Sequence, residues 1–241
     1  MAERLKELRE EVLEANLELV RQGLVVSTFG NASGILRDDD LVAIKPSGVS
    51  YDRLRPVDLV ITNLQGQIIE GTLRPSSDLA THLELYRSFP EIGGVVHTHS
   101  RFATAWAQAH QEIPCFGTTH ADYFHGPVPL TDPMATEEIV EAYELNTGKV
   151  IARRFADLDP RRFPSVLVAG HGPFCWGPSA PEAAHTAVLL EEIARIAYYT
   201  CTLNSAARPI GQSLLDKHFL RKHGPQAYYG QSGDSDEPGT T

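Results

Sequence analysis

Two imidazoles stand one residue apart in the stretch GGVVHTHSR, residues 93–101. A β-strand points residues i and i+2 to one face, with Cα atoms about 6.5–7 Å apart. Histidine nitrogens at that spacing can reach one ion at Zn–N distances of about 2.0–2.1 Å. On a helix the same spacing would aim them nearly opposite each other. The lead-in of Val95 and Val96 favours a strand, so His97 and His99 are a candidate bidentate pair. A strand edge with two solvated histidines is the other reading of these residues alone. His171, in VLVAGHGPF, ends a second apolar run and has glycine on both sides, which leaves room for close approach; its plainer reading is a turn residue. Asp78, in RPSSDLATHLELY, is a fourth candidate, or simply the N-cap of the helix that follows. Three histidines and a carboxylate would suit Zn²⁺, with Mn²⁺ or Co²⁺ as alternatives.

Near these positions lie turns rich in hydrogen-bond donors. Ser76-Ser77-Asp78 opens a predicted helix, where free N–H groups and the positive end of the dipole attract anions. FGNASG and KPSG place Asn31, Lys45, Ser47 and Gly48 at strand ends, where backbone amides can curl round an anion. No Walker or GxGxxG pattern is present. The three turns together point to a phosphorylated small molecule. A second basic cluster, Lys217, His218, Arg221, Lys222 and His223, lies close to the C-terminus. It either complements the end of a helix or binds a second anionic group.

The elements that must position these residues are legible as periodicity. Leu5, Leu8, Val12, Ala15 and Leu19 recur at helical spacing up to Gly23. LVVSTFGNASG, LVAIKP, LVITNLQGQIIEG and GGVVHTH are short, β-branched and bounded by turn residues, so they read as strands. LVITN and QIIEG form a predicted hairpin, and SSDLATHLELYRSF a helix. After residue 110 the chain reads as loop, followed by a helix over ATEEIVEAYELNTGKV and a hairpin over SVLVAGHGPFCWG. A long helix over PEAAHTAVLLEEIARIAYYTCTL has Pro181 in its first turn. A last helix covers about 209–223. Hairpins in place of regular βαβ alternation predict an α/β or α+β domain with a largely antiparallel sheet. Residues 1–231 read as one domain and 232–241 as a disordered acidic tail.

Composition excludes several classes. A net charge of −10 over 241 residues argues against nucleic-acid binding through a broad basic surface. No signal peptide and no apolar run of the ~18 residues a membrane span requires is found, so a soluble, cytoplasmic protein without membrane contact is expected. Three widely spaced cysteines without a CxxC fit a reducing compartment.

Taken together, FGNASG, IKPSGVSYD, EGTLRPSSDLATHLELYRSFPEIGGVVHTHSRFATAWAQA, GTTHADYFHG, HGPFCWG and LLDKHFLRKHGPQAYYGQ closely resemble the L-ribulose-5-phosphate 4-epimerase family of the class II aldolase/epimerase superfamily. The resemblance covers roughly residues 5–231. It implies a three-layer α/β/α domain around a central, largely antiparallel sheet, and a homotetramer of fourfold symmetry with active sites between adjacent subunits. Zinc would be held by His97, His99 and His171, with Asp78 as fourth ligand. Asn31, Lys45, Ser47, Gly48, Ser76 and Ser77 match the family's phosphate-binding turns. Asp122 and Tyr229 match the acid/base pair, supplied by a neighbouring subunit. His218 and Arg221 match residues at the second phosphorylated fragment. Which of these basic groups holds the substrate's phosphate stays open.

The implied reaction inverts C4 of L-ribulose 5-phosphate to give D-xylulose 5-phosphate. The C4 proton is not adjacent to the C2 carbonyl and is not acidic, so the route is retro-aldol cleavage of C3–C4, rotation of the aldehyde and re-addition. A Lewis acid at the C2 and C3 oxygens would stabilise the enediolate. Sugar-phosphate aldolases of the superfamily carry glutamate where this chain has Asp78, which favours the epimerases. An aldolase and a metal-free, adducin-head-like interaction module are the alternatives. Two local departures stand out: Phe29 where tryptophan is usual, and Gly170 where serine is usual, the latter beside His171 in a position to loosen its support.

Overall fold

The computed structural model describes residues 1–225 together with residues 227 and 228. Tyr229 and the acidic tail at 232–241 lie outside the described residues.

The N-terminal helix α1 (Ala2–Arg21) buries Leu5, Leu8, Val12, Ala15 and Leu19, the positions its periodicity singles out. Seven strands follow in one sheet: β1 (Asn31–Leu36), β2 (Leu41–Ile44), β3 (Val60–Asn63), β4 (Ile68–Glu70), β5 (Gly94–His97), β6 (Ser165–Leu167) and β7 (Pro173–Gly177). Their spatial order is β4-β3-β2-β1-β5-β7-β6, with every neighbouring pair antiparallel. Among the described residues six α-helices follow α1: α2 (Leu79–Ser88), α3 (Arg101–Gln108), α4 (Thr118–Ala121), α5 (Thr136–Arg154), α6 (Ala180–Leu203) and α7 (Gln212–His223).

Strand alternation splits the core into two layers. Ala32, Ala43, Ile61, Val96 and Cys175 pack with α1, α3 and α6 on one face of the sheet. Ile35, Val42, Ile44, Val60, Val95, Phe174 and Trp176 pack on the other with Leu79, Leu83 and Tyr86 of α2 and Ile151 of α5. The three-layer α/β/α arrangement and the antiparallel sheet agree with the expected architecture. Among the described residues no helix is long and apolar enough to cross a membrane.

Three local expectations are corrected. The first strand starts at Asn31, not Leu24. Ser27 and Gly30 have φ of 58° and 84°, so the intervening chain folds as turns despite its valines. The stretch after residue 98 contains α3, and the loop-rich segment contains the short α4. Helix α3 lacks a side-chain cap of its own; the Glu191 carboxylate of α6 accepts from the Phe102 and Ala103 N–H groups at 2.9 and 3.0 Å instead. Finally, α5 is not continuous: Ala142 sits at φ −158°, ψ 70°, a kink within the helix.

Candidate active site

His97 ends β5 on the same face as Val95, and so points toward the layer formed by α2 and α5. Its ring stacks on Phe174 of β7, with centroids 4.2 Å apart and planes within 14°. Its Nδ1–H donates to the Pro173 carbonyl at 2.9 Å, which leaves a lone pair on Nε2. The chain leaves the strand after His97, yet the His99 Nε2 arrives 3.1 Å from the His97 Nε2. His171 comes from the tight turn joining β6 and β7, closed by Val168 N–H to Gly172 carbonyl at 2.9 Å. One nitrogen from each of the three histidines lies within 4.8 Å of the others.

Gly172 makes that convergence possible. A Cβ there would meet the Thr98 carbonyl oxygen at 2.9 Å. The neighbouring Gly170 has φ 72°, a conformation in which a residue with a side chain would be strained.

Asp78 stands at the head of α2, but its side chain makes no capping bond. It accepts instead from Asn31 Nδ2 at 2.6 Å. Burial opposes ionisation of this carboxyl, and the His97 ring and the Asn31 amide outweigh it, holding its pKa below the usual range. The gathered donor group is the three histidines; Asp78 lines the same cleft beside them. Burial and the other two rings push His171 down to about 4, and burial lowers His99, so both are neutral at pH 7. Three imidazoles facing one another, with a carboxylate alongside, have the donor chemistry of a divalent transition-metal site.

The expected anion turns meet at this cleft. The segments carrying KPSG and RPSS pair through a Pro46–Pro75 bridge. Ser76 N–H donates to the Lys45 carbonyl at 3.0 Å, and Ser47 N–H to the Arg74 carbonyl at 2.9 Å. Asn31, Lys45, Ser47, Gly48, Ser76, Ser77, Asp78 and the three histidines all line one cleft of about 370 Å³. Lys45 is 2% exposed, and burial lowers its pKa. Its ammonium donates to the Pro46 carbonyl and sits 4.7 Å from the Tyr51 ring centroid, with no carboxylate partner among the described residues. Asn31 Oδ1 is buried without a hydrogen-bond partner among the described residues. A buried cation on the cleft wall suits a small oxygen-rich anion, and the unpaired amide oxygen beside it can accept from a hydroxyl donor.

Asp122, His218 and Arg221 form a separate cluster where α7 packs on α4, and none of them lines the histidine cleft. The Asp122 carboxylate accepts from Arg221 Nη2 at 2.8 and 2.9 Å and from His218 Nδ1 at 3.0 Å. Lys222 Nζ is 3.9 Å away. Burial would raise the Asp122 pKa, but the Arg221 and His218 hydrogen bonds outweigh it and keep the group ionised.

Two features escape the sequence. Tyr143, placed just after the α5 kink, brings its hydroxyl to 3.2 Å from His171 Nδ1. His82, fully buried one helical turn after Asp78, is bonded through Nδ1 to Ser33 Oγ at 2.7 Å, and Ser33 Oγ to Tyr86 Oη at 2.8 Å. The i,i+4 spacing of Asp78 and His82 was the only signal for the latter. Nothing in the sequence pairs residue 143 with residue 171.

Fold and histidine cleft together define a class. Residues 10–198 match the family described as "Class II Aldolase and Adducin N-terminal domain", and the chain belongs to that family. An "L-ribulose-5-phosphate 4-epimerase UlaF" from Salmonella paratyphi B is 52% identical over 227 residues, covering 94% of this chain and all of the relative. Among solved structures, an L-fuculose 1-phosphate aldolase is 22% identical, with a TM-score of 0.75 over 88% of this chain and 94% of its own. The L-fuculose-1-phosphate aldolase from Thermus thermophilus is 28% identical, with a TM-score of 0.61 over 84% of this chain and 98% of its own.

Proposed function

We propose that this chain is an L-ribulose-5-phosphate 4-epimerase that interconverts L-ribulose 5-phosphate and D-xylulose 5-phosphate. The observation that carries the reading is the His97–His99–His171 triad beside Asp78, in a chain 52% identical to an epimerase of that name. These three histidines, with Asp78 as fourth ligand, would hold the divalent ion, Zn²⁺ with Mn²⁺ or Co²⁺ as alternatives. Such an ion supplies Lewis acidity to the oxygens on C2 and C3 of the ketopentose.

The remaining chemistry falls to side chains. Removal of the C4-hydroxyl proton releases the electron pair of C3–C4 toward the C2 carbonyl. The products of cleavage are an enediolate and glycolaldehyde phosphate. After the aldehyde turns over, attack on its other face and return of a proton to the C4 oxygen complete the inversion. Two groups on opposite faces are needed to exchange that proton. Asp122, kept ionised by its cationic neighbours, suits the base; Tyr229, outside the described residues, is the partner acid/base. Asp122, His218 and Arg221 do not line their own chain's histidine cleft, which supports their serving the cleft of an adjacent subunit in a homotetramer. Lys45, Ser47, Gly48, Ser76, Ser77 and Asn31 then bind substrate oxygens at the cleft wall, while His218 and Arg221 face the phosphorylated fragment. The three cysteines, free of disulfides, support a cytoplasmic location.

The test is interconversion of the two pentose phosphates, with activity abolished by EDTA and restored by a divalent metal. Full turnover by metal-free protein overturns the reading, and net release of an aldehyde fragment points to an aldolase instead.

A further inference from the structure

His97 and His171 both reach the candidate metal site with Nδ1 engaged, but their partners differ in kind. His97 is held by a main-chain carbonyl of its own sheet. His171 sits in a turn, and its Nδ1 faces the hydroxyl of Tyr143 at 3.2 Å, from a helix in another layer. The two rings also touch, with centroids 5.8 Å apart. The kink at Ala142 immediately precedes Tyr143, so α5 breaks its regular geometry just where the side chain turns into the cleft. His171 has Gly170 on one side and Gly172 on the other, so its own segment offers little side-chain support.

We infer that Tyr143 is the positioning residue for His171. Its hydroxyl oxygen accepts the Nδ1 proton, fixes the tautomer with the lone pair on Nε2, and sets the ring's angle toward the other two histidines. The inference rests on the metal-site reading above and adds to it a residue from the α5 layer. Removing the partner behind a metal-bound histidine typically weakens metal affinity about 10–100-fold.

The test is a Co²⁺ titration of metal-stripped protein, followed by its visible absorption and by competition with a chelator. Tyr143→Phe, which removes only the hydroxyl, is expected to bind Co²⁺ about 10–100-fold more weakly than wild type, with a shifted spectrum. On a His171→Asn background the same substitution is expected to add nothing, because the two residues act as a unit. The urea midpoint of metal-free Tyr143→Phe should match wild type, which separates positioning from a merely structural role. A wild-type Co²⁺ affinity and spectrum in Tyr143→Phe overturns the inference. So does an undiminished effect on the His171→Asn background, or a lowered metal-free midpoint that accounts for the weaker binding. Turnover of L-ribulose 5-phosphate by wild type judges the epimerase reading separately; a wild-type chain that binds Co²⁺ without epimerase activity would sink that reading and leave this one standing on the titration.

Discussion

The Nε2 atoms of His97 and His99 stand 3.1 Å apart. Two ligands of a tetrahedral ion at Zn–N distances near 2.05 Å would be separated by about 3.3 Å. The Pro173 carbonyl occupies the Nδ1 proton of His97, so the Nε2 of that ring arrives as a lone pair. The pair is already spaced for a cation. His97→Ala is therefore expected to abolish stoichiometric metal binding, whereas wild type is expected to take one ion per chain. Elemental analysis after dialysis decides between them, and a full metal complement in the variant contradicts the ligand role.

Asp122 sits among Arg221, His218 and Lys222, away from the histidine cleft of its own chain. Asp122→Asn is expected to slow epimerisation by about 10²–10⁴-fold, the usual range for losing an acid/base group. Metal content should be unchanged. Loss of the ion together with activity would show that Asp122 supports the metal site instead.

Burial pushes His82 down to about 3 and His120 down to about 4. Both folded-state values lie below the ordinary value near 6.5, so the unfolded chain binds protons that the folded chain refuses. Stability conferred by the neutral rings is complete above about pH 6.5 and falls as the pH drops toward 4. Urea midpoints of metal-free protein between pH 7.5 and 4.5 should decline over that window. Replacing His120, which lies outside the histidine cleft and bonds to the Gly126 carbonyl at 2.9 Å, by Gln should flatten part of the slope. A midpoint indifferent to pH would show that neither ring is held neutral by the fold.

Gly172→Ala places a methyl 2.9 Å from the Thr98 carbonyl oxygen, a backbone atom that cannot move aside cheaply. A destabilisation of about 1–3 kcal/mol is expected. Because the collision lies between the His97–His99 segment and the His171 turn, metal affinity should fall along with the thermal midpoint. Unchanged values for both would mean that the turn relaxes without disturbing the histidines.

What the sequence disclosed of this site follows from the range of each interaction. His97 was legible as the end of a β-branched run, but the expected strand spacing to His99 was not met, because β5 stops at His97 and His99 reaches its neighbour from beyond the strand. Asp78, Ser76 and Lys45 were legible as turn and helix-start chemistry, and the strands of the sheet as β-branched runs. Tyr143 was not, because its meaning comes from a kink in α5 and a hydrogen bond to residue 171. The start of α3 was hidden for a similar reason, since its acceptor is Glu191 on another helix. The β1 boundary was misread because Val25 and Val26 have strand propensity, while Ser27 adopts a left-handed turn that propensity does not encode. Asp122 was legible through family resemblance alone; its salt-bridge partners on α7 are about a hundred residues downstream.

His97 and Pro173 are bonded across 76 residues of chain, through the pairing of β5 with β7. Nothing short of that pairing brings His171 to the other two rings. Contacts of such high sequence separation carry a large loop-closure entropy and form slowly. An ion at these histidines would therefore have no complete site until the centre of the sheet is closed, and its binding energy would accrue to the finished fold. Added metal should slow unfolding while leaving the refolding rate unchanged, so residence time in the native state, not the speed of reaching it, is what the histidine site confers.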